Sequence, residues 1–165
     1  MVVKDLKGLY LHGIKDLHSA CKQAAPVVDE MAKAAKHADL KQALEAGASG
    51  TRKGMEQMAE LARKHGEEPG GEHCKGMEGL VAEARKHALE ESYEDDDTRD
   101  AAIIAQYQRM AHYAITGYGT SKAFAKRLKL DEDVAVLDQC TRSGYEGDET
   151  MTRIAEQGVN AAAMN

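Results

Sequence analysis

The sequence predicts an all-α fold: four long helices in a bundle, with an additional short helix in the connection between the two halves. Three observations carry this. Apolar residues recur at three- and four-residue spacing over long stretches. Ala, Met, Lys and Glu, which favour helix, are abundant, whereas aromatics make up only 4% of the chain, with no Trp and one Phe. Turn-rich and acidic segments then divide the periodic stretches into two pairs. A chain of 165 residues can bury a core unaided, so one domain over residues 1–165 is expected.

Helix 1 is predicted over most of 3–36, where Leu6, Leu9, Ile14 and Leu17 are followed by Val27, Val28 and Met31, with Pro26 the one interruption. Pro26 cannot donate to the carbonyl of Lys22, which predicts a kink just beyond Cys21. Helix 2 is expected from Asp39 to about His65, with Gly66 as its stop. The loop Glu67–Glu72 contains Pro69, Gly70 and Gly71, and a short crossover helix follows with Met77, Leu80 and Val81. After the acidic linker Glu94–Asp97, Thr98 is the expected N-cap of a third long helix carrying Ile103, Ile104, Tyr107, Met110, Ile115, Tyr118 and Phe124, interrupted near Gly117 and Gly119. Asp131 is the expected cap of the last helix, which runs through Val134, Leu137, Met151 and Ile154. Two helices, one long crossover and two more helices are the connectivity of a ferritin-like four-helix bundle.

Composition narrows the function classes. The formal net charge of -6 with interspersed signs argues against nucleic acid or an anionic membrane as the main partner. No apolar run approaches the roughly 18 residues of a membrane span, and Met1-Val2-Val3-Lys4-Asp5 opens no signal-peptide core, so a cytoplasmic protein is expected. Cys21, Cys74 and Cys140 have neither the number nor the spacing of a disulfide framework or zinc knuckle, and reduced thiols are expected.

The informative anomaly is a thinned midsection. Residues 18–26 and 45–54 hold no large aliphatic side chain, Thr141–Thr150 contains Gly144 and Gly147, and Ala111 and Ala114 lie between Tyr107 and Tyr118. All four stretches fall near mid-helix, where antiparallel helices stack at one height. Five helix-interior glycines, Gly47, Gly50, Gly54, Gly144 and Gly147, together cost about 4–5 kcal/mol relative to Ala. Gly47, Gly50 and Gly54 share one stripe. Two accounts are open: the glycines permit close helix approach or lie exposed, or they leave a pocket for a ligand.

His18 and Cys21, three residues apart, and Cys140, four before Gly144, are the residues of this region that could do chemistry. A buried Cys is most often inert, and Cys21 is the best catalytic candidate, with His18 or His112 as its base. Tyr107 stands one turn before Ala111, where its hydroxyl could anchor a ligand. His12, His37, His65, His73 and His87 are read as solvated. Gly117-Tyr118-Gly119-Thr120 lacks the strand and lysine of a phosphate loop.

Asp16-Leu17, Lys22-Gln23, Met31-Ala32-Lys33-Ala34-Ala35, Cys74-Lys75-Gly76-Met77-Glu78-Gly79-Leu80, His112-Tyr113 and Gly117-Tyr118-Gly119-Thr120 together resemble the YciE/YciF family of ferritin-like stress proteins over nearly the whole chain. The resemblance implies a bundle with a carboxylate-bridged di-iron site at mid-bundle in typical members. It also implies that the family's ligand positions fall here on Cys21, on Gly47, Gly50 and Gly54, on Ala111 and Ala114, and on Ser143 and Gly144, with Asp148 alone still acidic. Di-iron is therefore not expected, and no other cofactor is identified.

The function expected from the sequence is binding of an apolar or conjugated small molecule, as ligand or cofactor, in a cavity at the former di-iron centre. Its expected walls are His18, Cys21, Gly47, Gly50, Gly54, Tyr107, Ala111, Ala114, Cys140 and Gly144. The alternatives are a Cys21-dependent or cofactor-dependent enzyme in the same cavity, a mononuclear metal protein using His18, Cys21, Cys140 or Asp148, and a scaffold without ligand. A homodimer is compatible with any of them.

Overall fold

The computed structural model describes residues 3–164, so Met1 and Val2 of the N-terminal segment lie outside the described residues. Helix α1 spans Leu6–Ala34, α2 Ala38–Lys64, α3 Lys75–Ala84, α4 Asp96–Arg127 and α5 Asp131–Ile154. Arg85–Glu90 extends α3 as a π-helical turn, and Ala155–Val159 and Asn160–Ala162 extend α5. Among the described residues there is no strand. The chain is a ferritin-like four-helix bundle: α1 and α2 form one hairpin, α4 and α5 the other, α1 packs beside α4 and α2 beside α5, and α3 lies on the α1–α4 side.

The helix ends are fixed by local chemistry. Asp5 caps α1, its Oδ1 accepting from Gly8 N at 2.7 Å. At the end of α2, Gly66 adopts a φ of 77°, and the amides of Gly66 and Glu67 close back on Arg63 and Ala62. Cys74 caps α3 with its thiol, Sγ accepting from Met77 N at 3.4 Å. The N-cap of α4 is Asp95 rather than Thr98: the Asp95 carboxylate accepts from Thr98 N at 2.7 Å and from its hydroxyl at 2.9 Å. Asp131 is likewise not a cap but the first residue of α5, whose N-cap is Leu130.

Helix α4 also runs unbroken past Gly117 and Gly119. An added Cβ at Gly117 would stand 2.5 Å from Leu17 Cδ2, so this glycine lets α1 and α4 close together without ending the helix. Helix α1 continues through Pro26, and both Lys22 and Pro26 are exposed, which puts the interrupted backbone bond on the solvent side.

The core falls into two apolar clusters, one toward each end of the bundle. One contains Val27, Met31, Leu40, Leu44, Ile103 and Met151; the other contains Tyr10, Ile14, Leu17, Met58, Tyr118 and Leu137. Two buried carboxylates tie the ends. Asp100 of α4 accepts from the backbone amides of Lys36 and His37, at 3.1 and 2.7 Å, and so serves the start of α2, which has no side-chain cap of its own. Asp133 of α5 accepts from Tyr10 at 2.8 Å and Lys64 at 2.8 Å and bonds the His65 ring at 2.6 Å. His65 is thus a buried structural residue and not a solvated one, its side chain only 9% exposed.

Candidate functional site

A cleft of about 410 Å³ lies at mid-bundle, where the small residues of four helices meet. Its floor is Cys21 and Ala24 of α1 with Met110, Ala111 and Ala114 of α4. Its mouth opens between α2 and α5, where Gly50 and Lys53 face Ser143 and Glu146 and all four are exposed. The thinning read from the sequence therefore corresponds to a gap between the two hairpins.

Large side chains occupy part of the space that the glycines release. Tyr107 and Tyr118 project from α4 toward α2. A Cβ at Gly47 would stand 2.6 Å from the Tyr107 hydroxyl and one at Gly54 2.5 Å from the Tyr118 hydroxyl, while Gly144 yields to Ile115 at 2.8 Å. Real Cβ atoms do not approach so closely, so these glycines are required by the tyrosines and the isoleucine opposite them. Gly50 differs: nothing lies within 4 Å of its added Cβ. Close approach accounts for Gly47, Gly54 and Gly144, the added Cβ of Gly147 would lie 3.1 Å from the Tyr107 hydroxyl, and Gly50 is exposed at the mouth.

Gly47, Gly50, Gly54, Tyr107, Ala111, Ala114, Cys21, Cys140 and Gly144 are brought together around the cleft. His18 is not among its walls. It is half-buried at the edge of α1, where burial and the neighbouring Lys22 lower its pKa and Glu56 opposes them. Nor does His112 reach Cys21: it is exposed and pairs with Asp148 at 3.0 Å, and both side chains lie outside the cleft.

All three cysteines are free and buried. The Cys21 thiol is hydrogen-bonded to the Tyr118 hydroxyl at 3.1 Å, and burial pushes its pKa up to about 11. The Tyr118 phenol is pushed up as well, first by burial and then by the Cys21 charge. Cys140 donates to Gln57 Oε1 at 3.3 Å and is also raised by burial, to about 11. Neither thiol has a base beside it or a pKa that yields thiolate at neutral pH, so the site is poorly built for nucleophilic attack. The residues do not fit a di-iron centre either. Among the described residues no three His, Cys, Asp or Glu side chains are grouped so as to hold a metal.

Tyr107 carries a hydroxyl at the cleft that no described residue engages. The hydroxyls of Tyr10, Tyr113 and Tyr118 are engaged by Asp133, by Asp16 and Cys74, and by Cys21. The Tyr107 hydroxyl lies between Gly47 and Gly147 and has no hydrogen-bond partner among the described residues. Burial, with Asp148 second, raises its pKa, so it is a neutral donor at physiological pH. This unserved hydroxyl and the Tyr118–Cys21 pair were not visible in residue spacing. The signal for both is that two tyrosines of α4 each fall level with a glycine of α2.

The family described as a domain of unknown function, DUF892, matches residues 5–164. Protein YciF of Escherichia coli (strain K12) is 30% identical over 165 residues, which is 100% of this chain and 99% of the relative. The crystal structure of the E. coli stress protein YciF superposes with a TM-score of 0.87 at 29% identity, covering 95% of this chain and 98% of that one. The structure of YcfI from Rhodopseudomonas palustris gives a TM-score of 0.84 at 31% identity, covering 91% and 94%. Among the described residues no helix is long and apolar enough to cross a membrane.

Proposed function

The chain belongs to the DUF892 family of YciF-like proteins, and from that premise we propose that it binds an apolar small molecule in the mid-bundle cleft. The observation that carries this is the hydroxyl of half-buried Tyr107, a neutral donor without a protein partner at the edge of a cleft of about 410 Å³. A guest that accepts from this hydroxyl gains a hydrogen bond while its apolar body covers Ala24, Met110, Ala111 and Ala114. Carrier or sequestering activity is the role such a site supports, and the stress role stated for the E. coli relative is its natural setting. The enzyme reading is weaker, because Cys21 is a neutral thiol bonded to Tyr118 with no histidine in reach.

The neutral fluorophore 1-aminoanthracene tests the proposal. The wild type should bind it saturably at one per chain. Ala111→Phe and Ala114→Leu, each filling the cleft from α4, should abolish binding while a thermal melt shows them folded. Absence of saturable binding to wild type, or binding untouched by either folded variant, contradicts the proposal.

A further inference from the structure

The mid-bundle cleft continues toward the α1–α2 turn. Ala43 and Ala46 of α2 and Thr150 of α5 line it and also line an adjoining cavity of about 700 Å³. In that cavity the chemistry reverses, for the walls there include His37, Asp39, Gln42, Arg153 and Gln157. The antiparallel run of α2 and α5 produces this arrangement, with the polar start of one helix opposite the polar end of the other.

The polar side chains of this end are left without partners among the described residues. Arg153 makes no ion pair or hydrogen bond with any described residue, and its side chain is exposed at the cavity. The His37 ring rests against Gly158, whose added Cβ would lie 3.4 Å from Nε2, and its Nδ1 is buried without a hydrogen bond. Asp39 also faces the cavity without an ion pair, but it occupies the first turn of α2, where the helix dipole compensates a carboxylate. Arg153, exposed in the last turn of α5, is the one cationic side chain among the walls named, and its guanidinium is open to a ligand. From Gly144, deep in the apolar part, to Arg153 the helix rises about 14 Å, the span of an extended chain of medium length.

We propose that the two cavities form one site for an amphipathic carboxylate, its apolar chain in the mid-bundle cleft and its head paired with Arg153, within hydrogen-bonding range of His37 or Gln157 side chains. The proposal rests on the reading of the cleft as a small-molecule site and adds the class of ligand. Arg is suited to the head because its planar donors match a carboxylate.

Calorimetric titration with decanoate and with 1-decanol, into wild type, Arg153→Gln and Ala111→Phe, separates the two claims. Decanoate should bind wild type once per chain and more tightly than 1-decanol. Arg153→Gln should weaken decanoate by about ten- to a hundredfold, the worth of a charge-assisted hydrogen bond, and leave 1-decanol unchanged. Ala111→Phe should weaken both. Equal affinity for the acid and the alcohol, or decanoate binding indifferent to Arg153→Gln, overturns the carboxylate assignment and leaves the cleft reading standing. Failure of both probes to bind, or binding of both indifferent to Ala111→Phe, overturns both.

Discussion

Gly50 and Gly54 lie about one turn apart on α2, yet alanine at the two positions should act in opposite directions. At Gly54 the new Cβ would stand 2.5 Å from the Tyr118 hydroxyl and 3.8 Å from the Cys21 sulfur. Tyr118 is only 6% exposed and its hydroxyl is held by Cys21, so a rigid ring must move as a unit. Overpacking of this kind costs about 1–3 kcal/mol. The gain in helix propensity returns about 0.8–1.0 kcal/mol, which leaves Gly54→Ala between neutral and about 2 kcal/mol destabilised. At Gly50 nothing lies within 4 Å, so only the gain remains and Gly50→Ala should be stabilised by about 0.8–1.0 kcal/mol. The two variants should therefore differ by about 1–3 kcal/mol, a separation of roughly 2–12 °C in Tm for a chain of this size. Adding Tyr118→Phe, which deletes the colliding oxygen, should relieve the Gly54→Ala penalty in a double-mutant cycle. Equal Tm shifts for the two single variants, or no coupling to Tyr118, would refute the assignment of Gly54 to the tyrosine and Gly50 to open space.

The Asp133 carboxyl is raised by its burial but lowered more by hydrogen bonds from Lys64, His65 and Tyr10, and its net folded pKa is below the ordinary value. Its contribution to stability is then complete above the unfolded value of about 3.9 and is lost as pH falls through the folded pKa. In urea titrations wild type should lose more stability than Asp133→Asn between pH 5 and pH 2.5, and parallel curves would show that the carboxylate is not the source. With Cys21 and Cys140 near pKa 11 and all three thiols buried, the native protein should resist a water-soluble disulfide reagent at pH 8 and release every thiol in urea. Rapid labelling of Cys21 in the folded state would restore the nucleophile reading.

The helices were legible because their apolar residues keep a helical period over long stretches, and the wrong details have local causes. Asp95 lies inside the acidic run that Thr98 follows, and three residues of separation let the Asp95 carboxylate reach the Thr98 amide, so the earlier residue is the cap. Gly117 looked like a break because a sequence does not show Leu17 packed against it. The cleft was legible from its glycines, since interior glycine is costly and needs a reason. Its occupants were less so: which of two tyrosines enters, and how far, depends on the rotation of α4. His18 fell outside the cleft for the same kind of reason, because three residues along a helix displace a side chain by about 60° around the axis, enough to turn it toward Lys22 and Glu56. Asp100 and Asp133 were missed although each lies on an apolar stripe, Asp100 with Ile103 and Ile104 and Asp133 with Leu137. A carboxylate on the buried face of a helix is a signal that backbone amides or cations await it.

Native mass spectrometry of the protein mixed with excess 1-aminoanthracene bears most directly on the cleft as a binding site. One adduct per chain should form on wild type and vanish in folded Ala111→Phe. A chain that remains bare, or a ladder of adducts that Ala111→Phe leaves unchanged, would contradict the account.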